Sequence, residues 1–119
     1  MLAVGGRVLG NLDPRTVRMT TGFAGGVGGS KQEMCGALSA GVMLIGALYG
    51  RNSLEEEDGP ARQLATRYRE RFAADLGTTH CSPLYEWVHA PDGPGSCSVV
   101  VERAARILLG LLAEQGSEG

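Results

Sequence analysis

The sequence is short of most features that mark the common functional classes. Aromatic residues make up only 5% of its 119 residues, so a core has to be built from Leu, Val, Ala and Met. A basic excess is also lacking. The formal net charge of -2 offers no basic face for nucleic acid or an anionic membrane. No basic stretch leads into an apolar run at the start, so no signal peptide is read and a cytoplasmic location is expected. The longest uncharged run, Met34 to Tyr49, is shorter than the roughly 20 residues of a membrane span. It also contains Gly36, Ser39, Gly41 and Gly46, and reads as a buried helix. Sustained period-2 alternation is missing, apart from Val99–Val101 inside a stronger helical pattern, which argues against a sheet. Only three cysteines occur, with no C-x-x-C pair. That argues against a disulfide scaffold, the usual zinc modules and covalent haem.

What the chain has in excess is glycine, with 19 residues concentrated at Gly22–Gly29 and along the apolar run after it. The run Gly25-Gly26-Val27-Gly28-Gly29 invites a phosphate-loop reading. However, Ser30 precedes Lys31 rather than following it, and no strand leads in. A hinge that lets two helices approach closely is the better reading, with a weaker anion site at the next helix start as the alternative.

Helical periodicity organises the rest. Met1 to Gly10 reads as the end of an amphipathic helix whose pattern starts abruptly, as if cut. Asp13-Pro14 is an N-cap followed by a first-turn proline, starting a short helix with Val17, Met19, Thr20 and Phe23 as inward candidates. Ser30-Lys31-Gln32-Glu33 has capping-box form, which predicts a central apolar helix over 31–49 stopped by Gly50. Gly59-Pro60 starts a helix with Ala61, Leu64, Ala65, Tyr68, Phe72 and Leu76 on one stripe, ended by Gly77. Ser82-Pro83 suits a short helix through Trp87, and the last helix is expected from Ser96, followed by a flexible tail at 115–119. The expected fold is all-α: one domain over 1–119, a bundle of about five to six helices around the central one.

The chemistry-bearing candidates are the cysteines. Cys97 is expected in the first turn of the last helix, Cys81 follows His80, and Cys35 falls in the second turn of the central helix. Helix starts and imidazolium neighbours are settings that favour thiolates. Cys35, Cys81 and Cys97 with His80 (or His89) also make a candidate Cys3His metal set, for zinc or an iron–sulfur cluster completed from elsewhere. A Cys81–His80 or Cys81–His89 catalytic pair is a weaker option. Against all of these stands the plain reading that free cysteines pack as small core hydrophobes in a non-catalytic helical module.

Residues 13–51 resemble the signature region of the C-GCAxxG-C-C family of redox-active proteins. The matching features are Gly22-Phe23-x-Gly25-Gly26, Cys35-Gly36-Ala37 and Leu48-Tyr49-Gly50-Arg51. Cys81 with Leu84, and Cys97 opening the last helix, resemble the third and fourth family cysteines. Two departures stand out. The family's first cysteine falls upstream of Met1, and Ala40 replaces a usual glycine. The resemblance implies a small helical protein of thiol-based redox chemistry, an oxidoreductase-type activity if it is an enzyme. Its expected working residues are Cys35, Cys81 and Cys97, with no cofactor required for thiol–disulfide exchange. A redox partner protein is implied. The abrupt first helix would leave an apolar groove, and a homodimer is expected on that ground.

Overall fold

The most apolar segment of the chain becomes its central helix, as the sequence requires. A computed structural model describes residues 2–118, with side chains described over 4–115. The helices are α1 (Leu2–Leu9), α2 (Pro14–Met19), α3 (Gly36–Tyr49), α4 (Gly59–Leu76), α5 (Cys81–Val88) and α6 (Ser98–Glu118), with a 3-10 turn at Thr21–Phe23. No strand occurs among the described residues, only an isolated antiparallel bridge between Met34 and His80. The protein is an all-α small bundle. No helix among the described residues is long and apolar enough to cross a membrane.

α3 packs against both α4 and α6, and those two pack on each other. The shared core holds Leu38, Leu44 and Ile45 of α3, Leu64, Tyr68 and Phe72 of α4, and Val100, Ala104, Leu108 and Leu111 of α6. Leu84 and Val88 of α5 and Val4 of α1 complete it. The α4 stripe therefore turns inward as its spacing predicts. Salt bridges pin α4 to α6 near both ends of their contact. Glu114 meets Arg67 and Arg71 at 2.9 Å each, and Arg103 meets Asp75 at 3.3 Å. Their reversed order along the two helices makes the pair antiparallel.

Local signals set several boundaries. The Asp13 side chain accepts from the Arg15 N–H at 2.7 Å, capping α2 as expected. Gly77 closes α4 at φ 84, the left-handed conformation that glycine adopts most readily. Gly41 matters for packing: a Cβ there would collide with the ring and hydroxyl of Tyr68. α3 and α4 approach closely because that position is bare.

The structure differs from expectation in four places. α3 starts at Gly36 rather than Lys31, because the capping box does not form. Lys31 has φ 62, and the Ser30 hydroxyl donates to the Gly26 carbonyl at 2.8 Å while accepting from the Gln32 N–H at 3.2 Å. Met19 and Phe23, expected inward, are 61% and 40% exposed, since α2 ends before it can lay that face on the bundle. α6 starts at Ser98, so Cys97 lies just before it, exposed. α6 also stays helical through Glu118, over residues expected as a tail, while Gly119 lies outside the described residues.

Candidate functional site

Each cysteine sits where a helix begins. Cys35 is the N-cap of α3, Cys81 is the first residue of α5, and the Cys97 carbonyl accepts the Val101 N–H at 3.1 Å in the first turn of α6. The bridge between Met34 and His80 places the first two. The Cys35 N–H donates to the Thr79 carbonyl at 2.8 Å, and the Cys81 N–H donates to the Glu33 carbonyl at 2.9 Å. By strand alternation, Cys35 and Cys81 are then diagonal neighbours on one face of the bridge. Two helix starts remote in sequence are thereby fastened together at the cysteines.

The glycine run makes this junction fit. Every residue from Gly25 to Gly29 has positive φ, including Val27 at φ 69, and the Lys31 N–H donates to the Gly25 carbonyl at 2.8 Å. A left-handed run is costly for side chains with a Cβ and cheap for glycine. Gly26 is buried here, and a Cβ on it would lie 2.6 Å from the Cys81 Cβ. The expected hinge is a fixed turn on which the Cys81 side chain rests.

All three cysteines line one cavity of about 510 Å³. Its walls include Ala40, Leu44, Leu84, Val100, Ala104 and Leu108, with Lys31, Tyr68 and Tyr85 adding polar tips. Cys81 is buried, Cys35 half-buried and Cys97 exposed, and all three are free thiols. Cys97 therefore meets solvent while the other two lie deeper.

Electrostatics separate the thiols further. Burial pushes the Cys35 thiol above its ordinary value. The backbone N–H groups of Ala37 and Leu38 at the start of α3 pull it back, and Cys81 and Cys97 add to the rise. Burial and then the nearby Cys97 push the Cys81 thiol up, while the Lys31 ammonium opposes them. The same ammonium sits 4.3 Å from the centre of the Tyr85 ring. Burial and then Cys35 raise the Tyr68 phenol. Its hydroxyl donates to the Ala104 carbonyl at 3.3 Å.

The histidines stand apart from this cavity. His80 is exposed at the bridge, and His89 stacks on Tyr85 with centroids 4.1 Å apart, its Nδ1 3.0 Å from the Tyr85 carbonyl. Neither lines the cavity. Among the described residues no group of three or more His, Cys, Asp or Glu is arranged to hold a metal ion. The Cys35, Cys81, Cys97 and His80 set is thus not assembled as a coordination shell, whereas the thiols alone share a site.

Sequence reasoning missed Lys31, Tyr68 and Gly26 as parts of the site. Tyr68 carried a usable signal, since it is the one residue with a polar tip on the inward stripe of α4 and a buried Tyr hydroxyl needs a partner. Lys31 and Gly26 carried none, because their roles depend on a bridge to a distant segment.

An all-α bundle that turns three free thiols toward one cavity defines a class of helical thiol proteins. The family model described as "Putative redox-active protein (C_GCAxxG_C_C)" matches residues 1–111, and the chain belongs to that family. No curated protein and no solved structure matches the chain.

Proposed function

We propose that the protein carries out thiol–disulfide exchange, with Cys97 as the attacking thiol and Cys35 or Cys81 as the resolving one. The carrying observation is that three free thiols, one exposed and two deeper, line a single cavity. In the first step the Cys97 thiolate attacks one sulfur of an external disulfide, forming a mixed disulfide and expelling one thiolate. In the second, the thiolate of Cys35 or Cys81 attacks the Cys97 sulfur, and the second external thiolate leaves. The two cysteine protons pass to the two released thiolates. Two electrons have moved from the protein to the external disulfide, which is reduced to two thiols.

The environment of the deeper pair supports this direction of flow. A dithiol becomes a strong oxidant when its thiolate form is stabilised in the reduced state. Burial works against the thiolate at Cys35 and Cys81, so the reduced protein is suited to giving electrons up. Lys31 limits the penalty at Cys81.

The test is a trapping series. Cys35→Ser, Cys81→Ser and Cys97→Ser are each treated with a small disulfide, and adducts are mapped by mass spectrometry. Cys97→Ser should form adducts slowest, while the double variant C35S/C81S should hold a mixed disulfide on Cys97 with no resolution. Rapid adduct formation at Cys35 or Cys81 in the absence of Cys97 would reverse the assignment of roles. Modification only after unfolding would remove the exchange reading.

A further inference from the structure

The cavity is matched poorly to the polar disulfides a thiol protein might meet. Its volume of about 510 Å³ lies within the range of small-molecule sites. Leu44, Leu84, Val100, Ala104 and Leu108 form most of its wall. Lys31 is the sole charged residue lining it, and its ammonium already sits on the Tyr85 ring. The Tyr68 hydroxyl is committed to the Ala104 carbonyl. Among the described residues, no buried side-chain nitrogen or oxygen is left without a hydrogen-bond partner. Apart from the tips of Thr20, Lys31, Tyr68 and Tyr85, the lining side chains are apolar or thiols and offer no strong partner to the carboxylates, amides or hydroxyls of a polar substrate. Against the aliphatic part of the wall such groups would lose water and gain no partner, which is costly. Alkyl groups would bury surface against the aliphatic wall and gain from it.

From this we propose that the cavity binds and reduces a small apolar disulfide, with alkyl arms lying along the aliphatic wall and the S–S bond at the cysteines. The inference rests on the thiol-exchange reading and adds the substrate class to it. Atoms and electrons balance as above: one dialkyl disulfide and two cysteine thiols give two alkyl thiols and one internal disulfide. The regenerating step belongs to a thiol reductant acting on that internal disulfide.

The geometry also assigns a selecting role to the rim. Val101 lines the same cavity and is 42% exposed, so a polar side chain there meets the substrate without entering the core.

Two reagents of matched size decide the matter, dipropyl disulfide and bis(2-hydroxyethyl) disulfide, which differ by methyl against hydroxyl at each end. Loss of free thiols is followed in single-turnover reactions of the folded chain, and each rate is divided by that for the same chain unfolded in denaturant. The corrected rate should favour dipropyl disulfide by about tenfold or more, the ratio expected when a buried hydroxyl is left without a partner. Val101→Asp should cut that preference by about threefold or more while an internal disulfide still forms. A corrected ratio near one, with the internal disulfide formed by both reagents, overturns the apolar selection and leaves thiol exchange standing. If neither reagent yields an internal disulfide in the folded chain, thiol exchange itself fails.

Discussion

The thiols and the small residues around them carry the most specific consequences. Cys35 and Cys81 have values raised above the ordinary 9.0, so their thiolates form only in more alkaline solution. Their alkylation in the folded protein should therefore level off at a higher pH than that of an ordinary thiol. Removing the ammonium that opposes the rise, in Lys31→Gln, should slow Cys81 by about two- to fivefold at fixed pH and leave Cys35 nearly unchanged. Site-resolved alkylation read by mass spectrometry checks both. The same shifts bear on stability. A thiol whose value is raised on folding contributes stability that is present below its unfolded value and lost as pH rises through the folded one. Tyr68, also raised, acts in the same sense at more alkaline pH. Denaturation midpoints should accordingly fall as pH rises above 9, and midpoints that stay level there would count against the buried state of these groups. Gly26→Ala places a Cβ 2.6 Å from the Cys81 Cβ at a residue of positive φ. It should destabilise the fold by about 2 kcal/mol or more and raise the reactivity of Cys81, as read by denaturant melts and alkylation.

At the scale of elements, the junction of α3 and α5 is what sets this bundle apart from a simple packing of helices. Its two backbone hydrogen bonds tie Cys35 to Thr79 and Cys81 to Glu33. The Cys35 and Cys81 amides should therefore share a slow hydrogen-exchange rate, and Gly26→Ala should accelerate both together. Independent rates would mean that the bridge does not act as one unit. Gly41→Ala tests the α3–α4 contact. Its Cβ would strike Tyr68, and a cost of about 1–3 kcal/mol is expected in denaturant melts. Much of the element plan was legible in the sequence. Leu64, Tyr68 and Phe72 recur at helical spacing and are buried, Asp13 caps α2, and Gly77 ends α4. The start of α3 was not. Ser30 to Glu33 carries a good local capping signal, but the backbone N–H of Cys35 and the carbonyl of Glu33 are taken by Thr79 and Cys81. A tertiary bridge outweighs a local cap, and nothing in the local sequence announces a partner so far along the chain. That displacement moves Cys35 from the second turn to the N-cap, which is why its surroundings were misjudged.

For the molecule as a whole, the bundle keeps its aliphatic core continuous with the cavity. Leu44, Val100, Ala104 and Leu108 belong to the core and to the cavity wall at once. The glycines, read first as a hinge, shape the same site by letting the left-handed turn sit under Cys81. The convergence of Cys35, Cys81 and Cys97 was an expectation from their helix-start positions and from the family resemblance, and the fold brings all three to one cavity. The separate placement of His80 was not readable, because its neighbour in sequence, Cys81, turns inward while His80 stays outside. On the proposed exchange, these thiols form one redox unit within a single chain. Intact-mass and peptide mapping of the folded, mildly oxidised protein checks this. Each chain should lose a pair of hydrogens, form a disulfide joining two of Cys35, Cys81 and Cys97, keep one free thiol, and recover fully with a thiol reductant. A folded chain that keeps all its thiols under the same conditions, or that forms disulfides only between chains, would contradict the single-chain unit.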